Sequence, residues 1–291
     1  MNKKLKSLLD WVVPSPYFDL YRNVRYGGEV IDPLIARNAA LKNRHSDVKR
    51  CFVIGNGPSL KTQDLTRLSG EICIAANSFF FHPDHRVVAP RYWCVADSDY
   101  QAEKKNSLDW LRELEAHSTG ATMLFNPSAA GVLKKYELFK DREIYYISAG
   151  LNCNVPEEVI LDLSRKINVG LCTVSSFSIP LAIYLGFREI YLIGCDANWH
   201  STGDNANLHF YETNPYFKHW DTNAASRQTM KLSIENELLS IHACFKSHRL
   251  IRDKALALGI KIYNATNGGC LDMYPRANYE HLFGHASSEV K

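Results

Sequence analysis

The sequence lacks the features of several protein classes. No apolar run approaches the ~20 residues that a membrane-spanning helix needs. Lysines at positions 3, 4 and 6 precede a short apolar stretch, but this ends at Pro14 without a small-residue cleavage site, which makes it a poor signal peptide. A net charge of +3 is too small for a general nucleic-acid surface. We therefore expect a soluble, cytoplasmic protein with no nucleic-acid partner.

Common cysteine and glycine motifs are also missing. None of the eight cysteines forms Cys-x-x-Cys, which argues against a zinc ribbon or a redox pair. Several lie within apolar segments, so we expect buried, reduced thiols. The chain has neither G-x-G-x-x-G at its first loop nor a Walker loop, which weakens the case for an ordinary dinucleotide site or a P-loop.

One stretch combines a strand, a tight turn and a helix start. The apolar run 51–54 predicts a buried strand, and the glycines after it allow backbone angles closed to other residues. Proline suits the first turn of the helix that follows. Backbone amides at such a helix start favour phosphate. The pattern predicts phosphate or nucleotide contacts from Gly55, Asn56, Gly57 and Ser59, with helix capping as the structural alternative for Ser59.

Polar residues follow several predicted strands. Asn56 follows strand 51–54, Asn77 follows 71–76, Asp97 follows 91–96 and Asp196 lies beyond 189–193. Ligands of open parallel sheets bind at the carboxyl edge of the strands. We expect these side chains to lie at one such edge, with Asp196 either binding a ligand or ordering its loop. The fold class predicted is α/β, a Rossmann-like, mostly parallel sheet with helices on both faces.

The remaining elements complete this sheet. Periodicity predicts strands at 121–125, 143–147 and 261–264, and helices at 110–117, 159–166, 177–186 and 225–258. The last helix is expected to bury an apolar face of Ile234, Leu238, Leu239 and Ile241.

The domain organisation predicted is an N-terminal arm, residues 1–50, and a main domain, residues 51–291. The arm begins with an amphipathic helix that packs on the protein itself or on a second copy, or touches an anionic membrane through residues 1–13. Within the main domain, the polar and aromatic segment 197–224 is too long for a simple connection and predicts a lid or an acceptor-binding insert.

Three segments together resemble a known family. Residues 54–60 (IGNGPSL), Ala76-Asn77 and residues 185–196 (LGFREIYLIGCD) resemble the bacterial monofunctional sialyltransferases, which have a modified GT-A fold. They also resemble a related group, the 6-hydroxymethylpterin diphosphokinase-like domains, often associated with surface-polysaccharide and flagellin glycosylation. The closing residues 262–269 and 274–276, and residues 209–211, look more like that second group. The resemblance covers residues from about 50 to 283.

The resemblance implies a glycosyltransferase of bacterial surface-glycan assembly, such as lipopolysaccharide or capsule. It would transfer sialic acid or a related nonulosonate, with inversion, from a CMP-sugar to a hydroxyl of a glycan or glycolipid. In the family, the loop asparagine and the next strand-end asparagine hold the nucleotide, and a serine-bearing loop contacts the donor. Asp97 stands near a third family asparagine, and the family's two phosphate-contacting tyrosines have no clear counterpart. The residues implied here are Asn56, Asn77, Asp97, Thr173, Ser175 and Ser176.

Two histidines compete as the base that deprotonates the acceptor. Histidine suits this role because its ordinary pKa is about 6.5. His209 lies in the polar insert near the predicted sheet edge, whereas His242 lies within the long helix, at nearly the family's distance from the last strand. The first is favoured, and a structural histidine is the alternative for each.

The triplet Asp97-Ser98-Asp99 matches the D-x-D text with which many GT-A enzymes hold a divalent metal. Carboxylates suit Mg²⁺ or Mn²⁺. A CMP donor has a single phosphate, so no metal or other cofactor is required, and Asp97 can instead accept a ribose hydroxyl or cap a helix.

Two other functions remain open at this stage. An ATP-dependent 6-hydroxymethylpterin diphosphokinase needs Mg²⁺ and a basic residue at the phosphates, and only Lys61, at the far end of the loop, is nearby. A non-catalytic domain that binds a nucleotide or a glycan as a scaffold is the third reading. A homo-oligomer is compatible with all three.

Overall fold

The computed structural model describes residues 32–97, 99–149, 159–169, 173–198, 209–212, 214–217 and 234–284. The chain divides into a unit of residues 1–33 and a unit of residues 34–291, and the second contains the sheet. The predicted amphipathic helix, most of the predicted insert, and residues 225–233 of the predicted long helix lie outside the described residues.

Seven strands form one sheet, and every described pairing is parallel. The order across the sheet is β5-β4-β3-β2-β1-β6-β7. Phe52 of β1 lies opposite Cys73 of β2 on one side and Tyr191 of β6 on the other. The strands are β1 Arg50–Ile54, β2 Cys73–Ala76, β3 Tyr92–Cys94, β4 Thr122–Phe125, β5 Ile144–Tyr146, β6 Glu189–Ile193 and β7 Lys261–Asn264.

Three of the described α-helices are short and three are longer, with 13, 11 and 24 residues. The α-helices described are α1 Pro33–Ala36, α2 His85–Val88, α3 Lys105–His117, α4 Ala130–Lys135, α5 Ser175–Leu185 and α6 Ile234–Ala257. Turns of 3₁₀ helix lie at Arg37–Leu41, Pro58–Thr62, Leu65–Leu68, Asn77–Phe81, Asp99–Gln101, Pro127–Ala129 and Glu280–Phe283.

Alternate residues of β1 enter two separate cores. Cys51 and Val53 belong to a core on one face of the sheet that also contains α5. Phe52 and Ile54 belong to a second core, which contains Trp110 of α3. Because side chains alternate across a strand, burial on both sides requires the apolar run that marks β1 in the sequence. The predicted α/β fold with helices on both faces is confirmed.

Two predicted helical features are wrong. Leu238 and Leu239 of α6 are 58% and 52% exposed, so they do not form its buried face. That face combines the small residues Ala243, Ser247 and Ala255 with larger ones such as Ile251. No helix covers 159–166, because the Asp162 carboxylate accepts bonds from the backbone N–H and the hydroxyl of Ser164, which favours a turn.

Residues 34–49 belong to the same unit as the sheet. Asn38 is fully buried, and its Nδ2 donates to the carbonyl oxygens of Tyr146 at 2.6 Å and Leu163 at 2.7 Å. Arg44 forms two hydrogen bonds to the carboxylate of Glu143. The unit that contains the sheet begins at Leu34, and the boundary predicted at residue 50 falls at the start of β1.

Most of the described cysteines match the expectation of buried thiols, whereas Cys270 is half-buried. Cys51, Cys73, Cys94 and Cys195 are free and buried. Burial raises the pKa of Cys195 to about 12, so this thiol stays protonated and unreactive at neutral pH. Among the described helices, none is both long and apolar enough to cross a membrane.

Candidate functional site

The candidate site lies where the strand order reverses. Strands β2 to β5 extend from one side of β1, and β6 and β7 extend from the other. At such a switch point the loops that follow the two central strands diverge, which opens a crevice at the carboxyl ends. The structure places all of the predicted strand-end residues at this edge, together with one that the prediction did not include, in the order Asn126, Asp97, Asn77, Asn56 and Asp196.

The loop after β1 is closed by Asp196. The Ser59 amide donates to Oδ1 of Asp196 at 3.2 Å, and the Ser59 hydroxyl donates to Oδ2 at 2.7 Å. The Gly57 amide donates to the carbonyl oxygen of Gly194 at 2.8 Å. The sequence predicts that these amides bind a phosphate, but they already donate hydrogen bonds to Asp196 and Gly194. Asp196 has the loop-ordering role that the sequence analysis had set beside ligand binding.

The glycines of this loop allow the two loops to touch. A Cβ on Gly57 would lie 1.8 Å from Oδ2 of Asp196, and one on Gly55 would lie 2.3 Å from the carbonyl oxygen of Gly194. Neither position tolerates a side chain, so the glycines serve close backbone approach. Burial raises the pKa of the Asp196 carboxyl above its ordinary value, although the hydrogen bonds from Ser59 act in the opposite direction.

Asn56 and Asn77 each form a hydrogen bond from the end of their own strand to the end of the neighbouring strand. Nδ2 of Asn56 donates to the carbonyl oxygen of Ala76 at 3.0 Å, next to Asn77. Oδ1 of Asn77 accepts from the amide of Ala96 at 3.4 Å, next to Asp97. Asn77 has a φ of 41°, a left-handed conformation that asparagine adopts more readily than most residues. Each amide side chain thus bridges from its own strand towards the next.

Seven buried side-chain polar atoms have no partner among the described residues, and Oδ1 of Asn56 and Nδ1 of His209 are among them. The two residues are neighbours, because the amide of Phe210 donates to the Asn56 carbonyl oxygen at 2.9 Å. Buried polar atoms in folded proteins are nearly always paired, so this juxtaposition requires an explanation.

His209 is held as a neutral imidazole. Its ring stacks on Tyr211 with centroids 4.8 Å apart, and burial lowers its pKa to about 4. His242, the competing candidate, is exposed on α6. The structure therefore brings His209 close to Asn56, whereas His242 lies at the surface.

The acidic triplet is used within its own turn. Oδ1 of Asp97 accepts from the amide of Asp99 at 2.8 Å, and Lys104 lies 3.9 Å from the carboxylate of Asp99. Gln101, which the sequence analysis missed, links β3 to β4 by donating to the Asp97 carbonyl oxygen and accepting from the Asn126 amide. Within the described part of the chain, no three His, Cys, Asp or Glu side chains are grouped to hold a metal ion.

The predicted serine-bearing loop forms the start of α5. The Ser176 hydroxyl donates to the carbonyl oxygen of Thr173 at 2.7 Å, and the Ser176 amide donates to Oγ1 of Thr173 at 3.4 Å. Ser175 connects this loop to α6, because its Oγ lies 2.7 Å from Oγ1 of Thr173 and 3.2 Å from Nε2 of His248. His248 was not among the residues predicted from the sequence. Ala243, Ser247, Ile251 and Ala255 recur every four residues and indicate the buried side of α6, and His248 follows directly after Ser247.

No protein-family model and no curated protein sequence matches this chain. Among solved structures, a similar fold occurs in the sialyltransferase CstII from Campylobacter jejuni, in complex with the substrate analogue CMP-3FNeuAc. The identity is 15%, the match covers 79% of this chain and 86% of that chain, and the TM-score is 0.44. At this level, the likeness concerns the fold alone.

Proposed function

We propose that this chain is a glycosyltransferase that binds a nucleotide-sugar donor at the carboxyl edge of the sheet, next to β1. The observation that carries the proposal is the buried, unpaired Oδ1 of Asn56 at the switch point. Leaving such an acceptor unpaired costs about 1–3 kcal/mol. A ligand that donates a hydrogen bond to this atom recovers that free energy.

A nucleotide fits the chemistry of this edge. An asparagine amide offers a donor and an acceptor side by side, which suits the edge of a pyrimidine base or the hydroxyls of a ribose. Asn56 and Asn77 place two such amides after adjacent strands. One N–H of Asn56 and one lone pair of Asn77 are bonded to Ala76 and Ala96, and Oδ1 of Asn56 is left for a ligand. CMP is the nucleotide we propose, because the sequence resembles sialyltransferases at these two asparagines, and the sugar is sialic acid or a related nonulosonate.

His209 is the base in this proposal. The reaction is a direct displacement in which an acceptor hydroxyl attacks the anomeric carbon, the bond to the donor phosphate breaks, and the hydroxyl proton passes to the imidazole. A pKa of about 4 keeps the imidazole unprotonated and ready to accept. A bound phosphate brings negative charge near the ring, which raises the pKa and strengthens the base.

The phosphate is not assigned to the loop of residues 55–59, because its amides are already used: those of Gly55 and Gly57 donate to the carbonyl oxygens of Ile193 and Gly194, and that of Ser59 donates to Asp196. Pyrophosphoryl transfer from ATP is less well supported. Lys61, the cation nearest in sequence to that loop, pairs with Glu212 at 3.7 Å. The acidic triplet is bonded within its own turn, which does not favour a diphosphate donor that depends on a metal.

Titration calorimetry with CMP, UDP, GDP and ATP tests the nucleotide. We expect CMP to bind in the presence of a chelator and the purine nucleotides to bind far more weakly. ATP binding that requires Mg²⁺ would favour the pterin kinase reading, and no binding by any nucleotide would contradict the proposal.

Turnover of CMP-sialic acid with a panel of glycan acceptors tests the base. His209→Gln should lower the rate at least 100-fold, the usual size of a general-base contribution, with donor affinity retained. The matched control is His242→Gln, an exposed histidine that should keep the wild-type rate. Equal rates for wild type and His209→Gln would remove His209 from the mechanism.

A further inference from the structure

A continuous chain of hydrogen bonds runs from the carboxyl edge into the core between α5 and α6. Oγ1 of Thr173 lies 2.7 Å from Oγ of Ser175, which lies 3.2 Å from Nε2 of His248. Nδ1 of His248 lies 3.0 Å from the hydroxyl of Tyr274. Ser175, His248 and Tyr274 are buried, whereas Thr173 is partly exposed.

The placement of the Tyr274 proton determines the direction of every bond. This hydroxyl has one proton and two groups within reach, the carbonyl oxygen of His248 at 3.2 Å and Nδ1 of the same residue at 3.0 Å. We assign the proton to the carbonyl oxygen, which can only accept, so that Nδ1 donates to the hydroxyl. In a neutral imidazole one nitrogen donates and the other accepts. Nδ1 therefore carries the proton, and Nε2 accepts from the Ser175 hydroxyl.

The direction of the bond between Thr173 and Ser175 follows from that of the bond between Ser175 and His248. Because the Ser175 proton is used towards His248, Thr173 must donate to Ser175. Oγ1 of Thr173 also accepts from the Ser176 amide at 3.4 Å. Thr173 is left with one lone pair and no proton to offer.

The outer end of this chain lies beside the candidate site. A helix that leads into a parallel strand runs against the strand direction, so the start of α5 lies at the carboxyl edge. At the other end, Tyr274 belongs to the same buried core as Cys195, whose sulfur would lie 3.2 Å from a Cβ on Gly55.

We propose that His248 is a positioning residue that sets the polarity of this chain, so that Thr173 presents a hydrogen-bond acceptor to a hydroxyl or amine of the ligand. An anion such as phosphate or carboxylate, which needs a donor, is disfavoured at Thr173. The polarity is a property of the chain itself, whereas the identity of the ligand rests on the proposed function.

A neutral His248 is required for this polarity. Burial lowers the pKa of His248 to about 4. The titratable groups around the pair formed with Tyr274 are Cys195, Cys244, Arg252 and Asp253. Protonation of Nε2 would reverse the bonds to Ser175 and Thr173 and turn Thr173 into a donor.

The polarity can be measured on the full chain without a nucleotide. In ¹⁵N-histidine-labelled protein, long-range proton–nitrogen correlation spectra report which ring nitrogen is protonated, and His248→Gln identifies the signal. We expect the Nδ1–H form of His248 throughout the range from about pH 5 to 7. An Nε2–H form, or a titration near the ordinary pKa of about 6.5, would overturn the inference.

Calorimetry with CMP tests the ligand. Thr173→Val should weaken binding roughly tenfold, the effect of one hydrogen bond, while Thr119→Val, at an exposed site, should have no effect. His248→Gln, which can still accept from Ser175 and donate to Tyr274, should retain most of the affinity that His248→Leu loses.

The outcomes separate the two proposals. A wild type that binds no CMP contradicts the proposed function, and the spectra then decide the polarity by themselves. CMP binding that is equal in wild type and Thr173→Val contradicts the inference, as does equal affinity of His248→Gln and His248→Leu.

Discussion

The hydroxyl of Ser59 donates to Oδ2 of Asp196 at 2.7 Å, across the point where the loops after β1 and β6 diverge. The Asp196 carboxylate thus lies where a helix N-terminus attracts negative charge. A second anion at the same amides would meet this charge at close range. The loop is better described as a rigid connection between β1 and β6 that holds Asn56 at its tip.

Gly57→Ala should destabilise the protein. The new Cβ would lie 1.8 Å from Oδ2 of Asp196 and 2.7 Å from the Gly194 carbonyl oxygen, so the two loops must separate. We expect a loss of about 1–3 kcal/mol in the free energy of unfolding, the usual cost of overpacking. Urea unfolding measures it.

The matched control for that experiment is Gly131→Ala. Gly131 lies in α4, and a Cβ there meets nothing within 4 Å. Alanine is the better helix former by about 1 kcal/mol, so this variant should be at least as stable as wild type. Equal stabilities of the two alanine variants would refute the role assigned to Gly57.

The sheet was predictable because a strand that is buried on both faces must be a nearly continuous apolar run, which is easily recognised in a sequence. Strands such as β1 and β6 are apolar after their first residue, and each is followed within three residues by a polar residue at a predictable edge. Helix α6 was harder, because its buried face uses Ala243, Ser247 and His248, while Leu238 and Leu239 are exposed. Small residues allow close packing against α5, and a pattern based on hydrophobicity alone places the face wrongly.

The site was predictable only in part. Asn56 and Asn77 were predicted as site residues because each lies within two residues of the end of a strand. The bond between Ser59 and Asp196 joins residues 137 positions apart, and that between Ser175 and His248 joins residues 73 apart. Local sequence contains no signal for such pairings, since only the completed fold brings them together.

Asn56→Ala separates a binding role from a structural one. It removes the unpaired Oδ1, which costs stability in the unliganded protein, together with the bond from Nδ2 to Ala76. These effects oppose each other, so we expect a change in unfolding free energy below about 1 kcal/mol. CMP affinity should fall at least tenfold by calorimetry.

For comparison, Asn267 is an exposed asparagine that donates to Thr62. Asn267→Ala should keep both the stability and the CMP affinity of wild type. If Asn56→Ala proves strongly destabilised and still binds CMP as wild type does, the assignment of Oδ1 to a ligand is incorrect.

The buried side of α6 can be checked with two truncations. Ile251 is fully buried, and Ile251→Ala should cost about 2–5 kcal/mol by leaving a cavity. Leu239 is 52% exposed, and Leu239→Ala should change the free energy of unfolding by less than about 0.5 kcal/mol. Similar losses in both variants, measured by urea unfolding, would contradict the orientation of the helix described here.

Stability should depend on pH through the buried histidines. The pKa values of His209 and His248 are lowered to about 4, so between this value and the ordinary 6.5 the unfolded chain binds more protons than the folded protein. Stability therefore falls as the pH decreases through this window, by up to about 3 kcal/mol for each histidine. Asp196 has a raised pKa and acts in the opposite direction, losing its contribution as pH rises.

The contribution of His248 to the pH dependence of stability can be isolated with His248→Gln. Between about pH 7 and 5 the free energy of unfolding of this variant should vary less steeply than that of wild type, because one group that titrates differently in the two states is gone. His242→Gln, at an exposed position, should keep the wild-type slope. The Arg44 partner holds the pKa of Glu143 at about 2, so that carboxylate loses its contribution mainly below this window. Identical slopes for His248→Gln and wild type would mean that His248 titrates normally, and the neutral imidazole on which the polarity of the Thr173 chain depends would have to be abandoned.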